Sequence, residues 1–180
     1  MNAQEYLESH WMRKSVWTHL EMPKHQERLR RCASYLKGES FIDVGCGLGH
    51  STEIMRGFRP GRWAGLEFYD VAAVQGRKLF PDIEFFSASG FDLLPVCGIF
   101  DGVVCSEVIE HVDDVAGLVN GLWAITGRTL IVSTPSIFVN DPGHLRLYTE
   151  VELRKAFKDI PGTRIERAHR FFYVIAERRA

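Results

Sequence analysis

Between residues 106 and 114 the chain reads SEVIEHVDD, and His144 follows later in the polar stretch STPSIFVNDPGHLRLYT. Glu107, Glu110 and His111 stand at i, i+3 and i+4, so one helical turn would bring them to a common face. Two carboxylates and two imidazoles are suited to two chemistries. A histidine can take the proton of an acceptor hydroxyl or amine. The set could instead hold a divalent ion that lowers the pKa of bound hydroxyls. We read His111 and His144 as the catalytic bases and assign no metal, with the divalent ion as the alternative. The plainer reading of Glu110 is a carboxylate favoured at a helix start by the dipole. Asp113 or Asp114 would then cap the following helix.

A second chemical stretch is FIDVGCGLGHS, residues 41 to 51. An apolar run climbs to Asp43, and Gly45, Gly47 and Gly49 then alternate with other residues. A dinucleotide fingerprint needs G-x-G-x-x-G, but His50 stands where its last glycine belongs. Asp43 would repel a pyrophosphate and suits a ligand bearing ammonium and sulfonium charges. Glu67 ends the apolar segment RWAGLE, and an acid at the tip of a second strand accepts hydrogen bonds from ribose hydroxyls. The pair asks for a cationic nucleoside without pyrophosphate, and S-adenosylmethionine meets both conditions.

The elements that position these residues follow from periodicity. Pro23 suits a first helical position. Leu29, Cys32, Ala33 and Leu36 share a face and Gly38 suits a cap, so a helix is predicted over 24–37. FIDV, RWAGLE, IEFF, FDGVVC and TLIVS read as strands separated by helices, beginning near His50, through VAAVQGRKLF, and through DVAGLVNGLWAI. TEVELRKAFKD opens with Thr149 three residues before Glu152, a capping-box spacing. Strands alternating with helices imply a parallel sheet with right-handed crossovers. RIERAHR and FFYVIAE leave no room for a crossover, so the last strand must turn back antiparallel.

DVGCGLGHS, GLEFYD, FDGVVCSEVIEHVDD, LIVSTPS and HLRLYTEVEL, taken in order, resemble the successive motifs of class I S-adenosylmethionine-dependent methyltransferases, over roughly residues 38 to 177. The chain is most similar in flavour to the small ubiquinone-biosynthesis-type O-methyltransferases. The resemblance implies an α/β, single-domain Rossmann-like fold, with helices on both faces of a seven-stranded sheet of order 3-2-1-4-5-7-6. It implies that Asp43, Gly45, Gly47 and Gly49 surround the methionine moiety, that Glu67 takes the ribose, and that Phe68 packs on adenine. Ser106 and Glu107 would line the wall near the transferable methyl. Such enzymes place an Asp after the third strand for the adenine amino group. Here that position falls to Ser89, or to a displaced Asp92. The E-x-x-E-H run with a later His also resembles the metal site of small-RNA 3′-terminal 2′-O-methyltransferases, which is the form the divalent-ion alternative takes. A non-catalytic cofactor-binding or interaction module is the remaining reading.

Residues 38–180 are therefore expected to form the cofactor-binding core, and residues 1–37 a helical lid or substrate segment carrying His10, Trp11, Trp17 and His19. At 180 residues, 46% hydrophobic and 25% charged, the chain suits one globular domain. A formal net charge of -1 gives no whole-molecule attraction to nucleic acid. The basic runs RLRR (28–31) and Arg178–Arg179 are expected to be solvated faces. Cys32, Cys46, Cys97 and Cys105 form no CxxC pair and read as small apolar residues. No apolar run suggests a membrane span and no leader is apparent. The expected setting is the cytoplasm, and the expected partner a small-molecule methyl acceptor rather than nucleic acid. The oligomeric state is left open.

Overall fold

The structure is a computed structural model that describes residues 18–138 and 144–178. After a 3-10 turn at His19–Glu21 come α1 (Pro23–Tyr35), β1 (Ser40–Val44), α2 (His50–Phe58), β2 (Arg62–Glu67), α3 (Asp70–Leu79) and β3 (Glu84–Ser87). The short α4 (Leu94–Cys97) leads into β4 (Phe100–Ser106) and a 3-10 turn at Ile109–His111. Then come α5 (Val115–Ala124), β5 (Thr126–Pro135), α6 (Glu150–Ala156), β6 (Arg164–Ala168) and β7 (Phe171–Glu177). The seven strands form one sheet of order β3-β2-β1-β4-β5-β7-β6. β7 runs antiparallel to both β5 and β6, and the other neighbours pair in parallel. The predicted topology is the observed one.

Alternation along the strands divides the core between two faces. Ile42, Val44, Val103, Cys105, Leu130 and Val132 face one way, against Leu118, Val119 and Leu122 of α5 and Leu153 of α6. Phe41, Val104, Ile131, Tyr173 and Ile175 face the other, against Leu29, Cys32 and Ala33 of α1, Leu36 just past its end, and Met55 of α2. In register, Asp43 shares its face with Phe41, so its side chain emerges among α1 and α2. Helix α1 thus packs its apolar stripe into the core. Residues 1–17, with His10, Trp11 and Trp17, lie outside the described residues.

Local chemistry explains several boundaries. Pro23 occupies the first turn of α1, and the helix stops at Tyr35, earlier than Gly38 led us to expect. Gly38 instead holds a left-handed turn against Asp101, whose carboxylate accepts the Glu39 and Ser40 N–H groups at 2.9 and 3.2 Å. The Thr149–Glu152 capping box forms as read, but α6 runs only to Ala156. All four cysteines are free. Among the described residues, no helix is long and apolar enough to cross a membrane.

Candidate active site

The glycine loop follows β1 at the carboxyl end of the sheet, beside the strand-order reversal where open α/β folds bind ligands. Gly45, Gly47 and Gly49 all have positive φ (78°, 57° and 92°), a conformation costly for residues with a Cβ. What approaches two of them is the protein itself. A Cβ on Gly45 would lie 2.4 Å from Val108 Cγ2, and one on Gly49 would lie 2.5 Å from Phe85 Cζ. The Phe85 ring also rests on Gly65 and Gly76, so these glycines let β2, α3 and the loop close around one phenyl group.

Glu67 is buried over the loop. Its Oε2 accepts the Gly47 N–H at 2.8 Å, and its Oε1 accepts the N–H groups of Phe68 and Tyr69 at 2.7 and 3.3 Å. Burial pushes its pKa up, and these three donors oppose the rise. A carboxylate has about four acceptor sites, so capacity remains for a ligand hydroxyl. Asp43 is also buried, and its Oδ2 accepts from Ser51 Oγ at 2.9 Å and Thr52 Oγ1 at 2.8 Å. Burial raises its pKa to about 6 against the pull of those hydroxyls and of Arg28. Two buried acids that feel each other's charge fit a cationic ligand better than a pyrophosphate. His50 begins α2 edge-on to Phe80, with ring centroids 5.1 Å apart, and burial lowers its pKa.

Phe68 is half-buried at the rim, with Phe91 edge-on at 5.4 Å. Ser89 and Asp92 are both exposed in the segment after β3. Ser106 shares a 2.7 Å hydrogen bond with the buried Ser133 across the β4–β5 register.

The carboxylate and imidazole set does not assemble as the helical spacing implied. Residues 109–111 form a 3-10 turn, and Glu107 sits before it with φ 56°, left-handed for a non-glycine residue. Its carboxylate is ion-paired with Arg28 of α1 and stands 3.9 Å from His25 Nδ1. His111 and His144 do come together, edge-to-face with centroids 4.7 Å apart. Glu110 joins them, a carboxylate oxygen of Glu110 and one ring nitrogen of each histidine lying within 4.8 Å of one another. Glu110 is buried, which raises its pKa. Its Oε2 accepts from Thr134 Oγ1 at 3.1 Å, and its Oε1 has no hydrogen-bond partner. His19, His25 and Glu107 form a separate group at similar spacing.

Arg28 is a buried charge beside the site that the sequence reading missed. It is 2% exposed, where RLRR was read as a solvated face. Its guanidinium pairs with Glu107, lies 5.2 Å over the Phe171 ring, and feels Glu110 and Asp43. A signal was present, because Arg28 and Cys32 stand four residues apart on the buried stripe of α1, which Leu36 continues just past the helix end. Arg30 and Arg31 do point outward, to Glu27 and Glu166.

A seven-stranded sheet of this order, with an acid at the tip of β2 over a glycine loop, defines a class I methyltransferase. The chain belongs to the methyltransferase domain family, which it matches over residues 16–177, and so to the class I S-adenosylmethionine-dependent methyltransferases. Beside that family as a whole, the narrower ubiquinone-type likeness is minor. Among solved structures it is similar to the magnesium protoporphyrin IX methyltransferase from Synechocystis PCC 6803 with bound SAM. The identity is 17% and the TM-score 0.71, covering 99% of this chain and 98% of that one. A SAM-dependent methyltransferase from Archaeoglobus fulgidus is similar at 16% identity and TM-score 0.68, over 85% and 92% of the two chains. A chain of the complex formed with the Haloferax volcanii Trm112 methyltransferase activator is similar at 15% identity and TM-score 0.70, over 93% and 95%. No curated protein is significantly similar in sequence.

Proposed function

We propose that this methyltransferase moves the methyl group of S-adenosylmethionine to a small-molecule acceptor, at a hydroxyl. The observation that supports the cofactor site best is Glu67, buried over the loop, bound to the Gly47 N–H and still able to accept. In this reading Asp43 and the backbone of Gly45, Gly47 and Gly49 face the methionine end, and Glu67 takes the ribose. Phe68 packs on adenine, Ser89 faces its amino group, and Ser106 and Glu107 wall the transferable methyl. When bound, the cofactor supplies an activated sulfonium methyl. The protein's part is mainly to align the acceptor, and alignment alone supplies ~7–11 kcal/mol.

His111 and His144 hold the acceptor hydroxyl, and one takes its proton, worth about 10²–10⁴-fold. Single His111→Ala and His144→Ala variants should each lower kcat within that range and leave S-adenosylhomocysteine affinity unchanged. Unchanged kcat in both would remove them from catalysis. A second reading has one observation in its favour, the Glu110, His111 and His144 group with its unpartnered Glu110 oxygen. There a divalent ion would hold vicinal hydroxyls of a sugar or an RNA end, and dialysis against a chelator would abolish turnover. With four free cysteines and no membrane-length apolar helix among the described residues, a cytoplasmic setting is the one we propose.

A further inference from the structure

A cavity of ≈230 Å³ opens beside Glu107, lined by Lys24, His25, Pro135, Ile137, Phe138, Arg170 and Phe171. It lies where the start of α1, the end of β5 and the start of β7 converge. Its walls are apolar, and its charged groups are uneven. Lys24 is half-buried and Arg170 exposed, and neither is ion-paired among the described residues. Glu107, the acid on the wall, is already neutralised by Arg28. His25 is 8% exposed, and its Nδ1 has no hydrogen-bond partner.

His19, His25 and Glu107 have the spacing of metal ligands. The surrounding field argues against a cation there. A guanidinium occupies the same carboxylate, and the groups facing His25 are Arg28, His19, Lys24 and Arg170. Burial above all, and then these neighbours, hold its imidazole neutral, its pKa lowered to about 3. A positive field around an unsatisfied polar atom and an apolar wall selects an anion with a hydrophobic body. Size narrows the class further, since a dry cavity of ~150 Å³ holds one benzene ring.

We propose that this cavity is the acceptor subsite, and that the acceptor is a small carboxylic acid whose apolar body is about one ring in size. The carboxylate lies toward Lys24 and Arg170, its body packs on Phe171, Ile137 and Phe138, and the imidazole of His25 meets a polar substituent. This rests on the cofactor reading above, because Glu107 is the residue shared by the cavity and the wall near the methyl.

The test is calorimetry on the full chain saturated with S-adenosylhomocysteine, using benzoate and its uncharged counterpart benzamide as probes. The proposal expects benzoate to bind at least tenfold more tightly than benzamide. Lys24→Gln and Arg170→Gln, both peripheral to the fold, should each weaken benzoate three- to tenfold and leave S-adenosylhomocysteine affinity within twofold. Benzoate and benzamide binding equally, or neither binding, would overturn it. If the two variants weakened S-adenosylhomocysteine instead, the cations would serve the cofactor's own carboxylate and the acceptor assignment would fall. Mn²⁺ binding that His25→Gln abolishes would replace the anion site with a metal site. Failure of wild type to bind S-adenosylhomocysteine at all would sink the cofactor reading on which this stands, a result separate from a benzoate failure.

Discussion

Asp43→Asn should make the ligand-free protein more stable at neutral pH. The carboxyl's folded pKa is about 6 against an ordinary 3.8, with burial the leading cause. A raised acid pKa means that the folded state binds the proton more tightly than the unfolded chain. Its favourable contribution is complete below 3.8 and is lost as pH rises through 6. At about 1.4 kcal/mol per unit, the charged carboxyl costs about 1.5 kcal/mol at pH 5 and about 3 kcal/mol at pH 8 relative to its neutral form. An amide keeps an oxygen acceptor for Ser51 and Thr52 and has no charge to desolvate. The intrinsic fit of the amide shifts both values together, so the pH dependence is the sharper quantity. Urea unfolding of wild type and variant at pH 5 and pH 8 should show the stability difference grow by about 1.4 kcal/mol in favour of the variant. A difference that is flat, or that shrinks with pH, would mean that Arg28 and the two hydroxyls fully compensate the charge. The account of Asp43 as a strained acid held for a cationic ligand would then be refuted.

Gly49→Ala should cost about 3 kcal/mol, combining the left-handed backbone penalty with the clash on Phe85. Thermal unfolding checks it, and a loss below about 1 kcal/mol would show the loop to be adaptable. Arg28→Met should cost about 3 kcal/mol by leaving Glu107 unpaired, and adding Glu107→Gln should restore most of that loss. A double variant no more stable than Arg28→Met alone would show the cost to be packing on Phe171 rather than lost charge.

The sheet was legible because its determinants are local. FIDV, RWAGLE and TLIVS have strand length and are bounded by glycine or helix signals. RIERAHR next to FFYVIAE left only a hairpin, which the structure turns at His169 (φ 53°) and Arg170. The glycine loop was legible as a conformation and less so in its cause. Spacing cannot say that Val108 and Phe85, distant in sequence, press on Gly45 and Gly49. The carboxylate set misled because helical spacing assumes a helix. The positive φ of Glu107 breaks the period and sends its side chain to α1, while the 3-10 turn keeps Glu110 with His111. Arg28 was hidden by its neighbours, since a basic run reads as surface until the i, i+4 stripe through Cys32 and Leu36 is counted.

The central claim is that the loop from Asp43 to Gly49 and the buried Glu67 form the cofactor site. Calorimetric titration of S-adenosylhomocysteine into wild type, beside Glu67→Gln and Glu67→Ala, tests it most directly. The account predicts micromolar binding by wild type, weakened at least tenfold by glutamine and abolished by alanine, with all three proteins folded by circular dichroism. A folded wild type that does not bind, or binding that both substitutions leave intact, would contradict it.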